Sequence, residues 1–96
     1  MSLSALVLHK NDNVATAVRP LKRGDKIGVE TGDGVVNIVL PLPVPFGHKF
    51  ALKDIGRGEK IIKYGETIGQ AAANIKRGEH VHIHNVEGLR GRGDRP

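Results

Sequence analysis

The sequence predicts an all-β domain, and three observations carry that reading. A glycine-centred turn recurs between apolar residues, an Asp-Gly pair separates two apolar runs, and the core stock is Val, Ile, Leu and Ala, with Phe46, Phe50 and Tyr64 the only aromatics. The turn runs Leu21-Lys22-Arg23-Gly24-Asp25-Lys26-Ile27, then Ile55-Gly56-Arg57-Gly58-Glu59-Lys60-Ile61, then Ile75-Lys76-Arg77-Gly78-Glu79-His80-Val81. Each copy is apolar, two polar or small residues, Gly, acid, one polar, apolar. Glycine reaches positive φ without a Cβ penalty, so one strand ends before the turn and the next opens after the acid. Ala51 to Ile55 also aligns with Ala71 to Ile75 at an offset of twenty residues.

The elements follow in order. Leu3 to His9 reads as a strand. Asp12 is a candidate N-cap for one short helix, Asn13 to Arg19, rich in Ala and Val and ended by Pro20. Lys26 to Thr31 and Val35 to Leu40 flank Gly32-Asp33-Gly34, a hairpin signal. Pro41, Pro43 and Pro45 cannot donate to a ladder, so residues 41–47 should cross the domain as an extended connector. Short strands are expected at Lys49 to Lys53, Lys60 to Tyr64, Thr67 to Asn74 and His80 to Val86. Residues 1–86 form the domain, and the Arg- and Gly-rich residues 87–96 read as a mobile tail.

Composition excludes several function classes. With 96 residues there is room for one domain, which buries roughly 60–65% of its unfolded surface. The absence of Cys removes disulfides, thiolate nucleophiles and Cys-ligated zinc. The apolar N-terminus is short and lacks a basic lead, and no later run approaches the ~20 residues that cross a bilayer. The expected protein is cytoplasmic, without membrane contact. A net charge of +5 suits an anionic partner, but neither aromatics interleaved with basic residues nor a recognition helix is visible, so no nucleic acid is expected. Arg92-Gly93-Asp94 in the tail, without a secretion signal, does not support cell adhesion.

The sharpest chemical feature is His80-Val81-His82-Ile83-His84. On a strand, Val81 and Ile83 would face the core and the histidines would share the other face, ~6.6–7 Å apart. Without Cys, histidine plus a carboxylate is the expected ligand set for a transition metal; the plain alternative is an exposed polar strand face. His80 fills the turn slot held by Lys26 and Lys60, which makes it the weakest of the three candidates. Two further clusters suit an anionic substrate: His48-Lys49 after Gly47, and Lys63-Tyr64-Gly65-Glu66 around a turn.

Taken together, Gly47-His48-Lys49-Phe50-Ala51-Leu52, Asp54-Ile55, Gly58-Glu59, Lys63-Tyr64-Gly65-Glu66, Ile68-Gly69, Gly78-Glu79, Val81-His82 and His84-Asn85 resemble the SAF-type domain of altronate and galactarate dehydratases and the small subunit of sulfolactate sulfo-lyase. The resemblance implies a β-clip of bent hairpins with a short N-terminal helix. It implies a separate large catalytic lyase subunit as partner, an anionic hydroxy-acid substrate, and β-elimination of hydroxide or sulfite assisted by Fe2+ or Mn2+ held jointly with that subunit. On the matching positions, His48, His82 and His84 are assigned to metal, Lys49, Lys63 and Asn85 to substrate, and Tyr64 and Glu66 to catalysis. The alternative is a non-catalytic module that binds an anionic sugar acid or an acidic partner; homo-oligomerisation is left open.

Overall fold

Ile27 and Val29 alternate with exposed residues, and so do Val36 and Ile38; the two runs meet face to face across the Gly32-Asp33 loop, Ile27 opposite Ile38 and Val29 opposite Val36. That period of two is the local cause of the first hairpin. A computed structural model describes residues 3–88. Its strands are β1 (Ala5–Leu6), β2 (Val14–Ala17), β3 (Lys26–Thr31), β4 (Gly34–Val39), β5 (Lys49–Ala51), β6 (Lys60–Lys63), β7 (Glu66–Ala71), β8 (His80–Val81) and β9 (Val86–Glu87). All pairings are antiparallel: a central sheet β1-β2-β5-β8, the β3-β4 hairpin, and a sheet β6-β7-β9. The described residues are thus all-β, and none of them is helical.

The expected helix over Asn13 to Arg19 is instead β2, bonded to β1 on one edge and β5 on the other. Both faces of β2 are covered: Val14 joins a core with Ala51, Ile55, Ile61, Ala71, Ile75 and Val81, while Ala15 and Ala17 join Leu21, Ile27, Val29, Ile38, Leu40, Val44 and Phe50. A strand buried on both faces reads as a continuous apolar run, which periodicity cannot tell from a buried helix. Asp12 caps something else: its Oδ1 accepts the Gly65 N–H at 2.8 Å, at the tip of the β6-β7 hairpin. Asn13, also buried, accepts the Ile62 N–H and donates to the Lys60 carbonyl, pinning the bulge between Ile61 and Ile62.

The repeated turns form as expected, with φ of +88° at Gly24, +87° at Gly58 and +89° at Gly78. In each copy the acid accepts the N–H of the second residue: Asp25 from Lys22, Glu59 from Gly56, Glu79 from Lys76. A further copy, unrecognised in the sequence, is Val44-Pro45-Phe46-Gly47-His48-Lys49-Phe50, with Gly47 at +83°. Its second residue is Pro45, which has no N–H to satisfy, so the acid slot is free and holds His48.

The copies associate in reciprocal pairs. Leu21 and Val44 exchange both backbone hydrogen bonds, as do Ile55 and Ile75. Gly24 donates to the Leu40 carbonyl and Gly47 to Ala17; likewise Gly58 donates to Ala71 and Gly78 to Ala51. The chain is therefore two similar halves, 17–50 and 51–81, each a pair of crossed turns, with the central sheet as the wall between their cores. The proline-rich connector supplies Val44, fully buried, to the first crossing.

The strand expected over His80 to Val86 stops at Val81. Residues 82–85 turn, Ile83 is 83% exposed rather than in the core, and the chain resumes as β9 along β7. Gly69 makes that pairing possible, because a Cβ there would lie 2.8 Å from the Glu87 carbonyl oxygen. Glu87, placed in the expected tail, closes β9; residues 89–96, including Arg92-Gly93-Asp94, lie outside the described residues.

Candidate metal and anion site

His48 sits where the freed acid slot of the Val44–Phe50 turn meets the start of β5. β5 pairs with β8 as Phe50 opposite His80 and Lys49 opposite Val81. Carried one step further, that register sets His48 opposite His82, and their rings stack with centroids 4.1 Å apart and planes 16° from parallel. His80 stacks against both, 5.1 Å from His48 and 5.4 Å from His82, and His48 Nδ1 lies 2.8 Å from His80 Nε2, one ring donating and the other accepting. Ligand atoms of His48, His80 and His82 all lie within 4.8 Å of one another. His84 is exposed and tilts against His80 alone, at 5.3 Å.

The structure thus groups His80, ranked last of the three by its turn slot, with His48 and His82, and leaves His84 outside that group. The slot shared with Lys26 and Lys60 does not show this, since the turn fixes backbone and not what a strand partner brings opposite. The signal that could have found His80 was the fourth turn. Aligning Val44–Phe50 with Ile75–Val81 puts His48-Lys49 beside Glu79-His80 in adjoining copies.

Desolvation first, and neighbouring charge second, shift the groups of the site. Burial, then His48, His84, His82 and Lys49, push His80 down to about 4. His82 is lowered by desolvation, then by His48, Lys49 and His84. Lys49 is lowered by its burial, then by Lys63. The neighbouring groups that act on these three all disfavour an added proton, so at neutral pH His80 is neutral with one ring nitrogen as an acceptor, and the lysines favour an incoming anion.

The remaining assigned residues divide. Lys49 acts on His80 and His82, and Lys63 acts on Lys49. Tyr64 and Gly65 are the two residues of the β6-β7 turn, both with positive φ, +56° and +78°; Tyr64 is 48% exposed, with the Lys63 ammonium 4.8 Å from its ring centroid. Glu66, across that turn, is exposed and is not among the charges acting on His80, His82 or Lys49. Asn85, expected to bind substrate, is buried and fully engaged: Oδ1 accepts the His82 N–H and Nδ2 donates to the His80 carbonyl, both at 2.9 Å. Its work is to hold the two histidines' backbone.

Residues 3–89 match the altronate/galactarate dehydratase SAF domain. The chain is 45% identical over 79 residues to altronate dehydratase of Escherichia coli (strain K12), covering 82% of this chain and 15% of that protein. It is 37% identical over 84 residues to altronate dehydratase of Bacillus subtilis (strain 168), covering 88% of this chain and 16% of that protein. Over 44 residues it is 48% identical to the (2R)-sulfolactate sulfo-lyase subunit alpha of Chromohalobacter salexigens, covering 46% of this chain and 47% of that subunit. The chain thus spans about a sixth of the dehydratases it matches and about half of the alpha subunit. On the family match across nearly its whole length, this chain belongs to the altronate/galactarate dehydratase SAF-domain family.

Proposed function

We propose that this chain is the small unit of a metal-dependent lyase that eliminates hydroxide or sulfite from an anionic hydroxy acid together with a larger catalytic subunit. The observation that carries the reading is the meeting of His48, His80 and His82 beside Lys49, with Lys63 near enough to act on Lys49.

The donor set fits an ion of the transition series, since three imidazoles match an open catalytic site's usual complement of protein ligands. Imidazole suits iron, and carboxylates from the partner would suit manganese as well, so Fe2+ or Mn2+ fits a site shared with that subunit. Bound there, the metal would supply Lewis acidity toward a carboxylate or a leaving oxygen. The chain's own groups do the rest. Lys49 and Lys63 receive the substrate carboxylate, and their mutual repulsion is relieved when that anion arrives. In elimination a base takes the proton next to the carboxylate, its electron pair forms the new double bond, and hydroxide or sulfite departs from the neighbouring carbon. Tyr64 and Glu66, at the β6-β7 tip, support Lys63 in this scheme. The same reading places the protein in the cytoplasm; among the described residues no helix is long and apolar enough to cross a membrane.

The test is reconstitution with a large lyase polypeptide of the altronate/galactarate dehydratase type. Activity toward altronate, galactarate or (2R)-sulfolactate should rise on adding the wild-type chain and fall with His48→Ala, His80→Ala or His82→Ala, while His84→Ala falls least. A large subunit fully active alone would instead leave the chain as a binding module.

A further inference from the structure

We infer that Ile83, Ile68 and Val86 form the face on which this chain docks its catalytic partner, against a partner segment that carries an aliphatic side chain flanked by carboxylates. This rests on the lyase-subunit reading and specifies where the partner sits.

The face begins with an exposure that costs free energy. Ile83 is 83% exposed and Ile68 43% exposed, and a solitary exposed aliphatic needs no explanation, but these two converge on one hollow. With Lys49, His82 and Val86 they line a hollow of about 240 Å³ beside the histidines. Ile83 is held out on a pinned turn, because Asn85 bonds the backbone of both His82 and His80 and its own N–H donates to the His82 carbonyl. An aliphatic held in water by a part-buried hydrogen-bond network is pre-organised for burial elsewhere.

The chemistry of the lining chooses the occupant. Three of the five lining residues are aliphatic, which suits a protein side chain better than the hydroxyls of a sugar acid. The polar rim is cationic, with Lys49 next to Lys63 and the histidines. A second copy would bring the same cations together. Residues 89–96 carry three Arg against one Asp, the same sign again. What complements the face is a different polypeptide bearing carboxylates, and those carboxylates would also add the oxygen ligands that the histidine cluster does not find among the described residues.

Binding of the large lyase polypeptide is measured by calorimetry for the wild type, Ile83→Asp, Ile83→Val and Ile68→Asp, with Val35→Asp on the β3-β4 hairpin as control, and circular dichroism confirms each fold. The expected result is weakening by at least tenfold for Ile83→Asp and Ile68→Asp, little change for Ile83→Val and Val35→Asp, and affinity that falls with added salt. A complex untouched by both Asp variants overturns the docking face and leaves the lyase reading standing; no complex at all overturns both. Tighter binding after deletion of residues 89–96, or a self-associated chain made monomeric by Ile83→Asp, assigns the face to the tail or to a second copy and overturns the proposal.

Discussion

Replacing Asn85 by Ala separates a residue that touches substrate from one that holds the histidines. The variant removes two side-chain hydrogen bonds, each 2.9 Å long, to the His82 N–H and the His80 carbonyl. Each bond contributes about 1 kcal/mol net, and stranding a buried donor or acceptor costs about 1–3 kcal/mol more. Both backbone groups lie where water can partly reach them, so the sum is set at about 2–4 kcal/mol. A chain of 96 residues has ~5–14 kcal/mol to lose at typical per-residue stability, so the variant folds but melts about 10–25 °C lower. Urea unfolding followed by circular dichroism gives the free energy, and NMR titration of His82 gives the site. Its depressed pKa should relax toward the ordinary histidine value as the 82–85 turn loosens and the stack on His48 opens. A stability loss below about 0.5 kcal/mol with an unchanged His82 titration would refute the structural role and return Asn85 to the substrate.

Three other outcomes are expected. Gly78→Ala should cost more than Gly24→Ala although φ is +89° and +88°, because the added Cβ at 78 meets the Val39 carbonyl oxygen at 2.9 Å and the one at 24 meets nothing; urea midpoints should show about 1–2 kcal/mol for Gly24 from backbone strain alone, and more for Gly78. His80, unfolded near 6.5 and folded at about 4, leaves the unfolded state binding the extra proton between those values; its stability contribution is complete above pH 6.5 and lost as pH falls toward 4, and His80→Gln should flatten that part of the curve. Pro45→Ala and His48→Asp together should rebuild the acid-to-N–H bond of the other turns, so a double-mutant cycle by thermal melting should return a favourable coupling of about 1 kcal/mol, with the histidine cluster lost.

The turns were legible because the demand for positive φ at Gly24, Gly58 and Gly78 is written in single residues, and the all-β class follows from them. Pro45 hid the fourth turn: it removed the very N–H that makes an acid necessary, and the acid was the mark by which the others were known. β2 was illegible for another reason, since Val14 and Ala15 face separate cores and so show no alternation. Of the residues the sequence singled out, the fold brings His48 and His82 together and sets Lys49 beside them. The sequence could not supply His80's position, which depends on β5 lying beside β8 across some thirty residues of chain, nor could it show that Asn85 spends its amide on backbone.

The wall between the two cores gives the histidine cluster a property that no single hairpin could have. His48 belongs to the first half, His80 to the end of the second and His82 to the turn that follows it, so the triad is a seam. Of these three, a disordered chain keeps only His80 and His82 near each other. Any ion or anion that grips all three therefore acts as a bolt across the seam: its binding energy is added only to the fully assembled state and raises the stability of both halves at once, in proportion to the logarithm of its concentration over its dissociation constant. A loaded chain should unfold as one unit, even under conditions where the empty chain lets its two halves part separately.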